Sequence, residues 1–503
     1  MRRLAALLAL AGAAAADPEE AAGKLWAEYE DLRGAEGWKA FDRRLDLLRA
    51  LGGCDADKAR AALLKVARTS RSGDERVLAT LSLGAIADVD AARALLDAVA
   101  RKPEPAVVQA LGEAFARTIR PDVTAWLATE ALDVKKPEVL RACLEALAAL
   151  EVAAAVPKLV AIHAESGDVA VRHEAVRALG RAGGPGALPT VVAAASDPQW
   201  QVRLAAAEVL PRLAAADAAL VGFVRALLAD PETRVRRAAA LACAGAKLEA
   251  VVPELIALLE QDPRLRTREV ARQALRAISG KDFEHDAASW REWWRTRAEG
   301  APERRTFAQY YGASVLSDRV LFLVDVSGSM SWPWRKEPKR IDVARSQLTR
   351  VLGELRPDSL FNVIVFSTRV RAWRKSEVSA DPAQVKAALA WAEKNVRDPE
   401  GDTHVHDALE EAFAHNPEFD TIYLLSDGQP SHGPYVSPEG ILACVRTWNR
   451  YRGAVIHTIG LTLERLDRGM PNLAEDLRLM KQFVQRLAGA TGGECRLVLQ
   501  PPP

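Results

Sequence analysis

One helical pattern returns along this chain at an almost fixed interval, and that period constrains the fold more than any other feature. The segments VLATLSLGAIA, VVQALGEAFAR, VLRACLEALAAL, VRHEAVRALGRAG, VRLAAAEVLPRLA, VRRAAALACAGA and TREVARQALRAISG begin at Val77, Val107, Val139, Val171, Val202, Val235 and Thr267, at intervals of 30, 32, 32, 31, 33 and 32. Between them lies a second apolar helix, often opened by proline (Pro157, Pro189, Pro253), where the missing N–H costs nothing. It closes at a polar turn: Gly167-Asp168, Asp197-Pro198, Asp230-Pro231, Asp262-Pro263. Each unit is a helix–turn–helix with apolar positions at i, i+3, i+4 and i+7. One such pair cannot bury its own apolar face, so neighbours must stack into a continuous core. Alanines at close-contact positions (Ala175, Ala206, Ala239, Ala271) let the helices approach. An all-α solenoid is expected over 41–280, with an irregular unit at 41–51 and residues 17–40 as a cap.

The V-R-x-x-A-x-x-A-L-G core at Val171–Gly180 resembles the HEAT-repeat family. The resemblance implies a concave surface for a protein partner, or a spacer that presents the next domain. There is no aromatic stripe or basic ladder to choose between these. His163 and His173 fall on separate helices without a carboxylate cluster and read as ordinary helix residues.

The first residues read as an address. Met1-Arg2-Arg3 is cationic, Leu4–Ala16 is 13 uncharged residues, and Ala14-x-Ala16 precedes Asp17-Pro18, the pattern of a secretory signal peptide. That stretch is short of the roughly 20 residues a spanning helix needs. An exported soluble protein, periplasmic or extracellular, is expected to start near Asp17, with no transmembrane segment. The 68 basic and 67 acidic residues leave a charge of +1, and 310–503 alone holds 24 of each. Neither half has a drive toward nucleic acid or anionic lipid. Five cysteines are too few for a disulfide scaffold, and at least one stays free. Cys143 and Cys243 stand where sister repeats carry Ala or Leu; Cys444 and Cys495 share the C-terminal domain.

Residues 281–314 read as a joint, a Trp-rich helix and a linker. Trp290, Trp293 and Trp294 lie at i, i+3 and i+4 on one helix face, the spacing of a plug over the solenoid's last apolar face. From Arg319 the pattern changes to continuous apolar runs at 319–327, 360–367, 421–428, 454–461 and 495–499. Helical stretches at 341–354, 382–395, 405–415, 438–450 and 473–488 lie between or beside them. Strands alternating with helices over 315–500 imply a largely parallel sheet covered on both sides, a doubly wound, Rossmann-like α/β fold. Ligands of such folds sit beyond the carboxyl ends of the strands, where strand order switches.

At those ends stand Asp325-Val326-Ser327-Gly328-Ser329 and Ser426-Asp427-Gly428, with Gly401-Asp402-Thr403 opening the helix at 405–415. Asp325, Ser327, Ser329, Thr403 and Asp427 form an all-oxygen donor set suited to Mg²⁺, with Mn²⁺ or Ca²⁺ as alternatives. His404-x-His406-Asp407 suggests a second metal, but side chains at i and i+2 point apart on a helix. The DxSxS, the threonine and the aspartate, in that order on this fold, resemble the von Willebrand factor type A domain and its metal-ion-dependent adhesion site. The resemblance implies that Ser327, Ser329 and Thr403 contact the ion, with Asp325 and Asp427 holding it directly or through water. It also implies a protein partner that places an Asp or Glu on the metal. Trp332, Trp334, His432 and Tyr435, on loops around the ion, are candidate partner contacts. A non-catalytic, metal-dependent binding protein is the expected function. The rivals are a metal-dependent hydrolase and a structural envelope scaffold. Against the hydrolase, no general base is positioned beside the ion, and VSGSM lacks the flanking glycines of a nucleophile elbow.

Overall fold

The computed structural model describes residues 17–215, 217–296, 308–333, 338–461 and 473–498, without the side chains of 473–477. The expected signal peptide lies outside the described residues. The chain forms two compact units, the first ending at Glu254 and the second starting at Leu255.

The seven recurring segments occupy the helices Gly73–Ile86, Pro105–Ala116, Pro137–Leu150, Val169–Ala182, Trp200–Ala214, Thr233–Ala246 and Leu265–Ser279. The last of these belongs to the second unit, so the expected boundary at 280 does not coincide with the division of the chain. Within the first unit, each recurring helix packs on the next. The closeness of that packing shows at its glycines. A Cβ on Gly84 would stand 2.6 Å from both Cα and the carbonyl oxygen of Ala114, and one on Gly112 would stand 3.1 Å from the carbonyl oxygen of Ala142. Both offsets are 30 residues, one repeat, so the period in the sequence is the contact vector of the stack.

The polar turns are equally regular. Asp168, Asp197, Asp230 and Asp262 each accept the N–H two residues on, from Ala170, Gln199, Glu232 and Arg264, at 2.8, 2.8, 2.8 and 2.9 Å. An aspartate there satisfies N–H groups that the following helix start leaves open. The arginines of the V-R pairs form a row, but its charge is turned onto these turns. Arg203 donates to the Asp197 carbonyl at 2.9 Å and pairs with buried Asp230 of the next repeat at 2.6 Å. Arg236 repeats the first contact on the Asp230 carbonyl at 2.7 Å. His173 is buried and its Nδ1 lies 2.7 Å from the Gln201 carbonyl, an ordinary structural contact. Cys143 and Cys243 are fully buried, and all five cysteines are free thiols.

The second unit holds the end of the repeats, the Trp-rich helix and the sheet domain. Trp290 of helix Ala287–Thr296 is buried edge-on against Phe283 at 4.9 Å, its indole N–H donating to the Glu284 carbonyl at 3.0 Å. Trp293 and Trp294 are half-buried. The strands are β1 (Gln309–Tyr310), β2 (Ala313–Ser314), β3 (Arg319–Asp325), β4 (Leu360–Phe366), β5 (Val370–Ala372), β6 (Val378–Ser379), β7 (Thr421–Ser426), β8 (Val455–Leu461) and β9 (Cys495–Val498). The main sheet runs β5-β4-β3-β7-β8-β9, with β6 also on β4; the five longer strands are parallel and β5 and β6 antiparallel. Successive residues of β3 serve opposite cores: Val320, Phe322 and Val324 one, Leu321 and Leu323 the other. A strand covered on both faces has no polar alternation, which is why its sequence is a continuous apolar run.

The sequence reading missed the short strands. β1 and β2 form a hairpin through Tyr311 and Gly312, whose φ values are 50° and 77°. Tyr310 is fully buried, packing edge-on against Phe322 at 5.2 Å and Tyr423 at 5.8 Å. The domain therefore begins before 315, and part of the segment expected as linker is core. His457 on β8 stacks on Tyr423 at 4.8 Å, and its Nδ1 accepts the Glu494 N–H at 3.2 Å. Burial, then the charges of Arg266 and Arg496, lower its pKa from 6.5 to about 4. The unfolded chain thus binds this proton first, so the His457 contribution is complete above pH 6.5 and is lost as pH falls toward 4. Denaturant titrations should show up to about 3 kcal/mol lost over that window, and a flatter profile in His457→Asn.

Among the described residues no helix is long and apolar enough to cross a membrane.

Candidate functional site

Strand order reverses at β3, which has β4, the next long strand in sequence, on one side and β7 on the other. The carboxyl ends of β3 and β7 carry Asp325 and, one residue beyond the strand, Asp427. The loop before helix Val405–His415 is stitched to the end of β3. Gly328 N–H donates to the Gly401 carbonyl at 3.0 Å, and Glu400 N–H to that of Val326 at 3.0 Å. A third loop holds Thr403: its N–H donates to Ser431 Oγ at 2.9 Å, and Ser431 N–H returns to the Thr403 carbonyl at 3.1 Å. Three loops far apart in sequence are thereby fixed around one point.

All five oxygen-bearing residues expected there are brought together. Asp325 is fully buried; its Oδ1 accepts the Ser327 N–H at 2.8 Å and its Oδ2 the Ser426 hydroxyl at 2.5 Å. Ser327 and Ser329 hydroxyls lie 3.3 Å apart, and Ser329 Oγ donates to Asp427 Oδ1 at 2.6 Å. A Cβ on Gly428 would stand 3.5 Å from Thr403 Oγ1 and 4.0 Å from Ser329 Oγ. Glycine there leaves room beside both hydroxyls.

Burial and the neighbouring Asp427 push the Asp325 carboxyl well above the usual carboxylate range. Asp427 is also raised by burial, opposed by Arg340 and Ser329. Among the described residues, the two buried carboxylates face one buried cation, Arg340, which leaves them short of positive charge. An oxygen set with that deficit fits a divalent cation of the Mg²⁺ class.

Arg340 was not foreseen. Its guanidinium pairs with Asp427 Oδ2 at 2.5 Å with both side chains buried, and lies 5.7 Å from the Trp332 ring centroid. Nothing in the DxSxS pattern signals it; the contact exists because helix Arg340–Glu354 starts under the loop after β3. Of the candidate partner contacts, Trp332 is exposed beside Arg340. His432 is exposed and stacks on His404 at 5.7 Å, while Tyr435 packs on His406 at 5.4 Å, half-buried. Trp334 lies outside the described residues. The sequence reading found no general base beside the ion; the fold sets His404 and His432 on the loops that hold Thr403.

Residues 156–221 and 188–276 match HEAT repeats, and residues 320–429 match the von Willebrand factor type A domain. Inter-alpha-trypsin inhibitor heavy chain H3 of Mus musculus is 33% identical over 146 residues, covering 27% of this chain and 15% of the relative. Heavy chain H4 of Homo sapiens is 31% identical over 158 residues, covering 29% and 16%. The chain thus spans about a sixth of the length of these relatives. A solved von Willebrand factor type A protein from Catenulispora acidiphila aligns at 17% identity with a TM-score of 0.29, over 36% of this chain and 38% of that one. The matched segment 156–276 is therefore made of HEAT repeats, and the sheet-forming segment 320–429 is a von Willebrand factor type A domain.

Proposed function

We propose that this is an exported, non-catalytic binding protein whose C-terminal domain holds Mg²⁺, or Mn²⁺ or Ca²⁺ in its place, through Asp325, Ser327, Ser329, Thr403 and Asp427. The ion takes an Asp or Glu side chain of a protein partner into its coordination sphere, and the HEAT repeats act as scaffold or second binding surface. The observation that carries this reading is the chain of contacts from Asp325 through Ser327 and Ser329 to Asp427 at the strand-order switch. Its charge balance adds support. The two carboxylates and Arg340 sum to −1, so a bound divalent ion leaves the pocket at +1. A partner carboxylate neutralises that surplus in a shielded cleft, where a charge-assisted contact is strong. Trp332 and His432 stand where they can ring the incoming group.

Titration of the full chain with Mn²⁺ should give one saturable site that Asp325→Ala abolishes. Affinity capture from the native extract should retain a partner in Mg²⁺ and release it in EDTA. Equal retention in EDTA, or by Asp325→Ala, would refute the reading. The hydrolase reading gains one observation, the imidazoles of His404 and His432 beside Thr403. Turnover of phosphate esters or peptides that is lost with Asp325→Ala would favour it.

A further inference from the structure

Next to the oxygen-lined pocket the fold gathers donors of a different chemistry. Asp402, His404 and His432 each bring one ligand atom, and the three atoms lie within 4.8 Å of one another. Their two loops are locked by the reciprocal Thr403–Ser431 hydrogen bonds, and Asp402 N–H is anchored on Thr368 Oγ1 at 3.0 Å. His432 Nδ1 is 3.4 Å from Asp402 Oδ1. Two donors at about 2.0–2.1 Å from a tetrahedral ion lie about 3.4 Å apart, so this pair already has the spacing of a coordination edge. His404 Nδ1 faces Asp407 Oδ2 at 3.0 Å, which leaves Nε2 to offer its lone pair. A carboxylate behind an imidazole is the usual support of a metal-bound histidine, fixing tautomer and ring direction. The His404 and His432 rings lie 12° from parallel.

The adjoining group His406, Asp407 and Glu410 also meets within 4.8 Å. It is the weaker set, because the Asp407 oxygens already face His404 and His406, each at 3.0 Å. His406 is moreover buried against Tyr435 and Trp448, 5.4 Å from each ring. His404 stands one residue before the helix, so helical spacing does not govern it; its ring stacks on His432, from a loop 28 residues on.

We propose that Asp402, His404 and His432 bind a transition-metal ion of the Zn²⁺ class, with Asp407 as the positioning residue for His404. Imidazole nitrogens select such an ion over Mg²⁺, so this site and the oxygen pocket take different metals although Asp402 and Thr403 are neighbours. Three protein ligands leave a fourth position of the tetrahedron open. With the Asp402 and His432 side chains about half exposed, it faces solvent and accepts water or a side chain from a partner.

Titration of the full chain with ZnCl₂ in saturating MgCl₂ should give one site of micromolar or tighter affinity. Co²⁺ in its place should show the visible bands of a four-coordinate ion. The double variant His404→Ala/His432→Ala should lose the site while its circular dichroism and melting stay those of the parent. Asp407→Asn should weaken it about 10–100-fold. Asp325→Ala should keep Zn²⁺ binding, so failure of the oxygen site and of this one are told apart. Zn²⁺ binding that survives the double variant, or that Mg²⁺ displaces, overturns the proposal.

Discussion

Arg340→Met should leave the metal-free protein about 3–5 kcal/mol less stable and yet bind divalent cations more tightly. The Arg340 and Asp427 side chains are 2% and 0% exposed in their 2.5 Å pair, and Asp325 is buried nearby. Removing one partner of a buried pair leaves the other charge desolvated and uncompensated, which is the source of the cost. The same deficit favours an incoming cation, because one full charge in contact with a ligand outweighs about 1.4 kcal/mol at the effective dielectric of a protein interior. The affinity for Mn²⁺ should accordingly rise by about tenfold or more. Denaturant unfolding in EDTA and in Mn²⁺, for parent and variant, checks both halves. The variant should regain much of its lost stability on adding metal. A variant as stable as the parent in EDTA, with unchanged Mn²⁺ affinity, would mean that Asp427 does not share its charge between Arg340 and an ion.

Gly84→Ala should destabilise the repeat unit by about 2–4 kcal/mol, although alanine is the better helix former. The new methyl would stand 2.6 Å from backbone atoms of Ala114, and backbone on a packed helix cannot rotate away as a side-chain tip can. The two helices must part, and every contact between those neighbouring repeats weakens with them. Gly34→Ala is the matched control, since nothing lies within 4 Å of its added methyl. Thermal melting of both variants should separate a large loss from none. Equal melting temperatures would show that the repeats do not approach as closely as the 30-residue offset requires.

Much of the site was legible because its ligands sit on motifs that strand ends enforce. A parallel strand covered on both faces reads as an apolar run, and the polar residues that close it, Asp325 for β3 and Ser426-Asp427 for β7, mark the rim. Asp325 and Asp427 could be placed on that ground alone. Arg340 could not: its side chain reaches Asp427 across 87 positions, through a helix start whose sequence resembles any other. The pairing of His404 with His432 was hidden for the same reason, since their proximity depends on a contact between two loops rather than on spacing within one. Tyr310 and Tyr311 read as part of a polar linker because the segment is too short for a period, and only the packing of a two-residue hairpin shows them to be core.

By itself the sequence determined the repeat architecture and the parallel sheet, because periodicities of helix, repeat and buried strand are local consequences of backbone geometry and burial. It also pointed to five oxygen donors for one rim, because a doubly wound sheet gathers its strand ends at one edge. What the tertiary structure alone decided is the electrostatics of that place. A buried arginine against one carboxylate, and a histidine pair on the adjoining loops, follow from long-range packing that leaves no regular mark along the chain.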